Sequence, residues 1–310
     1  MNFLLDCSSI NTYLYDMNRL PLHKKVQIIT LLVEGNSLRS CSRIADVSIN
    51  TVTKLLVDVG IACQKFHDEK VVNVASQKIQ CDEIWSFVYS KEKNVPDGME
   101  DKAGDVWTWT ALDADSKLIV SWAVGSRDAE TASEFMYDVA KRLSNRVQLT
   151  TDGHKPYLQA VDGAFGAQVD FAQLIKMYGG SSEGDNSTER KYSPAECTGA
   201  RKTVITGKPD EKHISTSYVE RSNLTMRMGM RRFTRLTNAF SKKIENHCHA
   251  IALHFVYYNF VRIHKTLRVP PAMEAGLIKR LMSIEDIANL VSIEAPQKRG
   301  TYKKNNTQQH

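Results

Sequence analysis

"IQCDEIWSFVYS", Ile79 to Ser90, is where the periodicity of the chain changes. Upstream of it, apolar residues recur every three to four positions. Here, and again in "DVWTWTALDAD" (105–115) and "KLIVSWAVGS" (117–126), the pattern is that of strands, punctuated by the turn-formers "NVPDG" and "DADSK". "DAETASEFMYDVAKRLSN" (128–145) then reads as a helix with Phe135, Val139 and Leu143 inward, and "VQLTTDG" (147–153) as a buried strand ending in a turn.

Three meandering strands, a helix and a further strand ending in an acid form the chain order of a ribonuclease-H-like fold, an α/β mixed sheet with helices on both faces. In a sheet of that order the first and fourth strands lie side by side. Asp82 lies within the first and Asp152 ends the fourth, so the two carboxylates are expected to converge. Glu83 is left out of this group, because alternation points it to the opposite face. Asp113 and Asp115 are explained by turn formation, and Trp107, Trp109 and Trp122 by packing.

Toward the N-terminus the pattern is helical with short loops. Leu22, Val26, Ile29 and Val33 form one apolar stripe closed by Gly35. Ser37 is placed to cap a second helix, and Ser48 a third, "INTVTKLLVDVG", which Gly60 is expected to end before a connector over 61–78. Two helices joined by so tight a turn suggest a helix-turn-helix. In that motif the start of the last helix enters the major groove, so Asn50, Thr51, Thr53 and Lys54 are the candidates for base and phosphate contact, with Arg39 and Arg43 nearer the backbone.

The charge of the chain is concentrated. The 310 residues carry a net +6, and the stretch from Glu220 to Lys243 alone holds five arginines and two lysines against one acid. Read as a helix from Tyr218 to about Thr237, it puts Glu220, Asn223, Arg227 and Arg231 on one face and Val219, Met226, Met230 and Phe233 on another. The apolar face would dock on the sheet and bring Glu220 to the other two acids. Asn223 and the arginines Arg227 and Arg231, extended by Lys242 and Lys243, would follow a nucleic-acid backbone. A second helix is expected from Ser241 to about Ile263. Three converging carboxylates repel one another, and divalent metal relieves that repulsion.

Local sequence sharpens this. "CDEIW", "TTDGHKPY" and "YVERSNLTMRM" resemble the D-E-x-W, T-D-G-x-x-x-Y and I-E-R-x-N-L-x-L-R motifs of InsB-type transposases of the IS-one insertion-sequence family. "LTNAFSKK" is similar to that family's S-x-S-F-S-K stretch, and "NFVRIHKTLRVPPAMEAGL" to the Y-N-x-x-R-x-H segment of many transposases. The resemblance implies that Asp82, Asp152 and Glu220 are a DDE triad holding Mg²⁺, with Mn²⁺ able to substitute. It makes Asp82 the bridging ligand and gives Asn223 and Arg227 as companions of the glutamate.

The implied reaction is hydrolysis at the 3′ ends of the element followed by strand transfer into target DNA. It would be carried out by a homo-oligomer, at least a dimer, on double-stranded element ends and target. The chain departs from the family in lacking a cysteine-paired zinc finger, in being continuous rather than joined by frameshifting, and in the length between Asp152 and Glu220, which reads as an insertion over about 174–217. Near "RKTVITGKPD" the insertion suggests a short hairpin.

The resulting domain reading is a helix-turn-helix unit over 1–62, a connector over 63–78, a catalytic domain over 79–265, and a C-terminal helix with a basic, disordered tail over 266–310. The six cysteines form no C-x-x-C pair, which argues against a disulfide frame or zinc knuckle. With no signal peptide and no apolar run of spanning length, the expectation is a cytoplasmic, nucleoid-associated protein of a bacterial or archaeal cell with no membrane partner. A helix-turn-helix regulator or a catalytically silent, domesticated transposase is the alternative; the intact Asp82, Asp152 and Glu220 argue against it, since end binding alone needs no acid triad.

Overall fold

The computed structural model describes residues 20–100, 102–178, 197–234 and 238–291. Its centre is a six-stranded mixed sheet in the order β3-β2-β1-β4-β5-β6. The strands are β1 (Lys78–Val88), β2 (Gly104–Asp113), β3 (Ile119–Gly125), β4 (Val147–Thr151), β5 (Val169–Tyr178) and β6 (Cys197–Thr206). β1, β2 and β3 run as an antiparallel meander, β4 and β5 lie parallel to β1, and β6 closes the far edge antiparallel to β5. This α/β arrangement, with helices against the sheet, is compatible with a ribonuclease-H-like core.

The helices in chain order are α1 (Leu22–Val33), α2 (Leu38–Ala45), α3 (Ile49–Lys70), α4 (Ala129–Arg142), α5 (Pro156–Phe165), α6 (Ser217–Gly229), α7 (Ile244–Val256), α8 (Pro271–Glu274) and α9 (Ile284–Asn289). Their starts follow from sequence chemistry. Ser37, Ser48 and Asp128 each accept a hydrogen bond from the backbone N–H three residues on, at the beginning of α2, α3 and α4. On α1, Ile29 and Val33 are buried as the stripe predicts, while Leu22 is exposed.

Several expectations are corrected. Helix α3 does not stop at Gly60 but continues to Lys70, so much of the expected connector is helix. Gly60 is there for contact: a Cβ built on it would stand 2.4 Å from the Cβ of His249 on α7. The backbones of α3 and α7 cross too closely for any side chain, and the core runs unbroken from α1 to α9.

The basic helix is also shorter than its charge pattern suggests. α6 ends at Gly229, Met230 takes extended angles, and Arg231–Phe233 form a separate 3-10 turn. Its apolar positions Val219, Met226, Met230 and Phe233 are buried as expected. α7 begins at Ile244 and passes into a π-helical turn over Tyr257–Val261.

The expected hairpin near "RKTVITGKPD" is instead strand β6, whose partner is β5. Neither β5 nor α5 was foreseen. The expected basic tail from Lys298 and the segment 179–196 lie outside the described residues, as do 235–237.

Candidate active site

Register brings the first two acids together. β1 pairs with β4 only over Lys78–Cys81, with Cys81 opposite Thr151, so Asp82 and Asp152 are the next residues on neighbouring strands. β4 ends there, which leaves open space beside β1. The carboxylates of Asp82, Glu83 and Asp152 share it, with ligand atoms all within 4.8 Å of one another. Alternation does place Asp82 toward α6 and Glu83 toward α5, but at the end of a neighbouring strand both reach the same gap. Sequence reasoning therefore missed Glu83.

The electrostatics follow from this crowding. Burial, then the charges of Asp152 and Glu220, pushes Asp82 up to about 7. Burial, followed by the charge of Asp152, pushes Glu83 up to about 8. Arg127, just after β3, offsets part of the negative charge: its guanidinium lies 3.1 Å from Glu83 Oε2 and 3.4 Å from Asp152 Oδ2, above the ring of Trp107. Asp152 also accepts the backbone N–H of His154 at 3.0 Å, a turn that fixes its carboxylate.

Helix α6 is set on β1 by Gln80, whose buried side-chain oxygen accepts the N–H groups of Tyr218 (2.9 Å) and Val219 (3.1 Å). A strand residue thus satisfies two of the orphan donors at the start of the helix. Two positions later on the same face of β1 stands Asp82, and one turn into α6 stands Asn223, which donates from Nδ2 to Asp82 Oδ2 at 2.9 Å. Thr110, opposite Asp82 on β2, donates to the Asn223 oxygen at 3.4 Å. Asn223, expected along the DNA track, is instead buried and committed to orienting Asp82.

Glu220 comes to the same edge of the sheet but does not join the three-acid group. Its carboxylate accepts from Lys176 Nζ on β5 and from Thr216 Oγ1, both at 2.5 Å. Neither partner could be foreseen, Lys176 because β5 was not.

The row of arginines on one helical face is not formed. Arg227 is half-buried on the last turn of α6; Arg231 is exposed beyond the helix end; Lys242 and Lys243 are exposed just ahead of α7. Arg232 is structural, donating to Ser241 Oγ at 2.6 Å and to the Asn246 carbonyl at 3.3 Å, with burial lowering its pKa to about 10.

At the start of α3, Asn50 and Lys54 are exposed, with Lys54 Nζ 2.7 Å from Asp58. The Thr51 hydroxyl pairs with Ser48 and that of Thr53 donates to the Ile49 carbonyl. Trp109 and Trp122 pack as expected, against Phe135 and Tyr157 and against His67 and Phe255.

A divalent ion suits this donor set. The three grouped residues offer only hard oxygen ligands, burial and then neighbouring negative charge raise the pKa values of Asp82 and Glu83, and the buried Glu83 Oε1 makes no hydrogen bond. No helix among the described residues is long and apolar enough to cross a membrane. No protein-family model matches the chain, and no curated protein matches it.

Proposed function

We propose that the chain is a DDE-type DNA transposase of an insertion sequence, built on a ribonuclease-H-like core with α2 and α3 as a helix-turn-helix. It binds the ends of its element and, as a homo-oligomer of at least two copies, cuts and joins DNA there. The observation that carries this reading is the meeting of Asp82, within β1, and Asp152, just past the end of the neighbouring β4, with α6 bringing Glu220 near them and Asn223 to Asp82. The local resemblance of these stretches to InsB-type transposases supports the same conclusion.

Asp82 and Asp152 would hold Mg²⁺, with Glu220 completing the set once it leaves Lys176. Bound Mg²⁺ supplies Lewis-acid stabilisation of the attacking and departing oxygens in phosphoryl transfer. Asn223 keeps the Asp82 carboxylate in one rotamer, and Gln80 keeps α6, hence Glu220, in register with the strand. In the first step water attacks phosphorus and the P–O3′ bond breaks, freeing a 3′-hydroxyl. In the second that hydroxyl attacks a target phosphorus, a new P–O3′ bond forms as the target's own P–O3′ bond breaks, and the target strand leaves with a free 3′-hydroxyl. Asn50, Thr51, Thr53 and Lys54 would read the element ends, and the exposed Arg231, Lys242 and Lys243 would meet phosphate.

The test is nicking and joining of a labelled duplex taken from the DNA that flanks the coding sequence, with a supercoiled target. Cleavage and joining are expected with Mg²⁺ and not with chelator, and are lost in Asp82→Asn and Asp152→Asn while end binding persists. Binding without chemistry under either Mg²⁺ or Mn²⁺ would turn the assignment to an end-binding regulator.

A further inference from the structure

Arg127 and Glu83 form an arrangement that the triad does not use. Arg127 lies between β3 and α4, and its Nε and Nη2 both reach Glu83 Oε2, at 3.2 and 3.1 Å, while Nη2 also reaches Asp152 Oδ2 at 3.4 Å. The guanidinium carbon stands 4.8 Å from the centre of the Trp107 ring. The Arg127 side chain is 38% exposed, whereas that of Glu83 is 1% exposed. The fork leaves Glu83 Oε1 buried and without a well-formed hydrogen bond, although the buried Tyr157 hydroxyl lies close enough to favour the ionised carboxylate. A buried carboxylate oxygen so poorly paired is costly, and a hard cation would satisfy it.

We propose that Glu83 is a metal ligand of this centre and that Arg127 is the resident counter-cation which the ion displaces from Glu83 and Asp152. The inference rests on the reading of the acids as a divalent-metal centre, not on the identity of the DNA. The guanidinium lies against both the Glu83 and the Asp152 carboxylates, so ion and arginine compete for the same pair of acids. Trp107 holds the displaced side chain at the rim, where five N–H donors become available to a phosphate. An exposed arginine and a buried glutamate are the right way round for this exchange: the cation can leave, and the acid stays.

The experiment is a Mn²⁺ titration of the full chain at pH 8, read by electron paramagnetic resonance of the free ion. The proteins are wild type, Arg127→Gln, Glu83→Gln, Glu83→Asp, Asp152→Asn and, as a charge control, Lys155→Gln. Thermal unfolding of each reports folding. Arg127→Gln is expected to bind Mn²⁺ at least about ten-fold more tightly, and Lys155→Gln, which removes a nearby charge that touches none of the acids, less than about three-fold more tightly.

Glu83→Gln is expected to bind at least about ten-fold more weakly. If it does not fold, Glu83→Asp, which keeps the charge but shortens the reach, is expected to show the weakening. Unchanged or weaker binding in Arg127→Gln, or unchanged binding in folded Glu83 variants, overturns the proposal. If Asp152→Asn still abolishes binding in that case, the metal-centre reading survives its failure. No Mn²⁺ binding in any protein overturns both.

Discussion

Replacing Asp82 with Asn should remove a pH dependence of stability that the acid cluster imposes. Asp82 is raised from its ordinary 3.8 to about 7, by burial first and then by the charges of Asp152 and Glu220. A carboxyl whose folded pKa lies above its unfolded pKa contributes its full stability below pH 3.8 and loses it as pH rises to about 7. About three pH units at 1.36 kcal/mol each give a loss of about 4 kcal/mol. Glu83, raised to about 8 by burial and by the same Asp152, adds a loss extending to about pH 8. The two share a neighbour, so their sum is not simply additive.

Buried neutral histidines such as His247 and His254 act in the opposite direction, adding stability as pH rises toward their unfolded pKa near 6.5. The measurement is therefore a difference, the stability of wild type minus that of Asp82→Asn, by thermal or urea unfolding with chelator from pH 4 to 9. The difference should fall by about 4 kcal/mol, or about 10 °C in Tm, and level off above about pH 7 to 8. Saturating Mg²⁺ should abolish the fall, because the ion takes the place of the proton. A flat difference in chelator, or one that rises with pH, would refute the electrostatic account of the site.

Three further outcomes test how the site is held. Gly60→Ala ordinarily strengthens a helix by about 1 kcal/mol, but here the new methyl would meet His249 on α7, so a net loss of about 1–3 kcal/mol is expected in urea unfolding. Arg142→Met should cost about 3 kcal/mol by the same measurement. It removes the donor that joins Asp68 and the Val71 carbonyl at the end of α3 to Asp138 on α4, with both ion pairs at 2.6 Å. Asn223→Ala takes away the hydrogen bond that favours ionised Asp82, so the pH at half-maximal nicking should move up by about one unit with the fold intact; an unmoved profile would show that the amide does not orient the acid.

The starts of α2 and α3 were legible because capping is a local contest between a side chain and its own backbone, and Ser37 and Ser48 decide it within four residues. Helix ends were less so. Gly60 looks like a stop signal in sequence and is in fact the clearance for a partner helix. The α6 pattern suggested a helix running on to about Thr237 and a row of arginines, yet the chain turns at Met230. Strands β1 to β3 could be read from their two-residue period, and β4 as a short buried run ending in a turn. The edge pair β5 and β6 could not, since β6 is exposed along most of its length and so lacks a buried face to mark its period.

By itself the sequence determined the caps of α2 and α3, the order of the first four strands, and the placing of Asp82 within β1 beside Asp152 at the end of β4, because these depend on local periodicity and on the short list of ways such a sheet can be connected. Only the tertiary structure decided that Glu83 joins them, that Glu220 rests on Lys176 and Thr216, that Asn223 is buried on Asp82, and that Arg127 bridges two of the acids. Each of those outcomes turns on where β4 stops and how α6 is pinned by Gln80. Apart from the Thr216–Glu220 bond within one helical turn, the contacts to Asp82, Asp152, Glu83 and Lys176 join residues 25 to 141 positions apart, which no local pattern encodes and which packing alone selects.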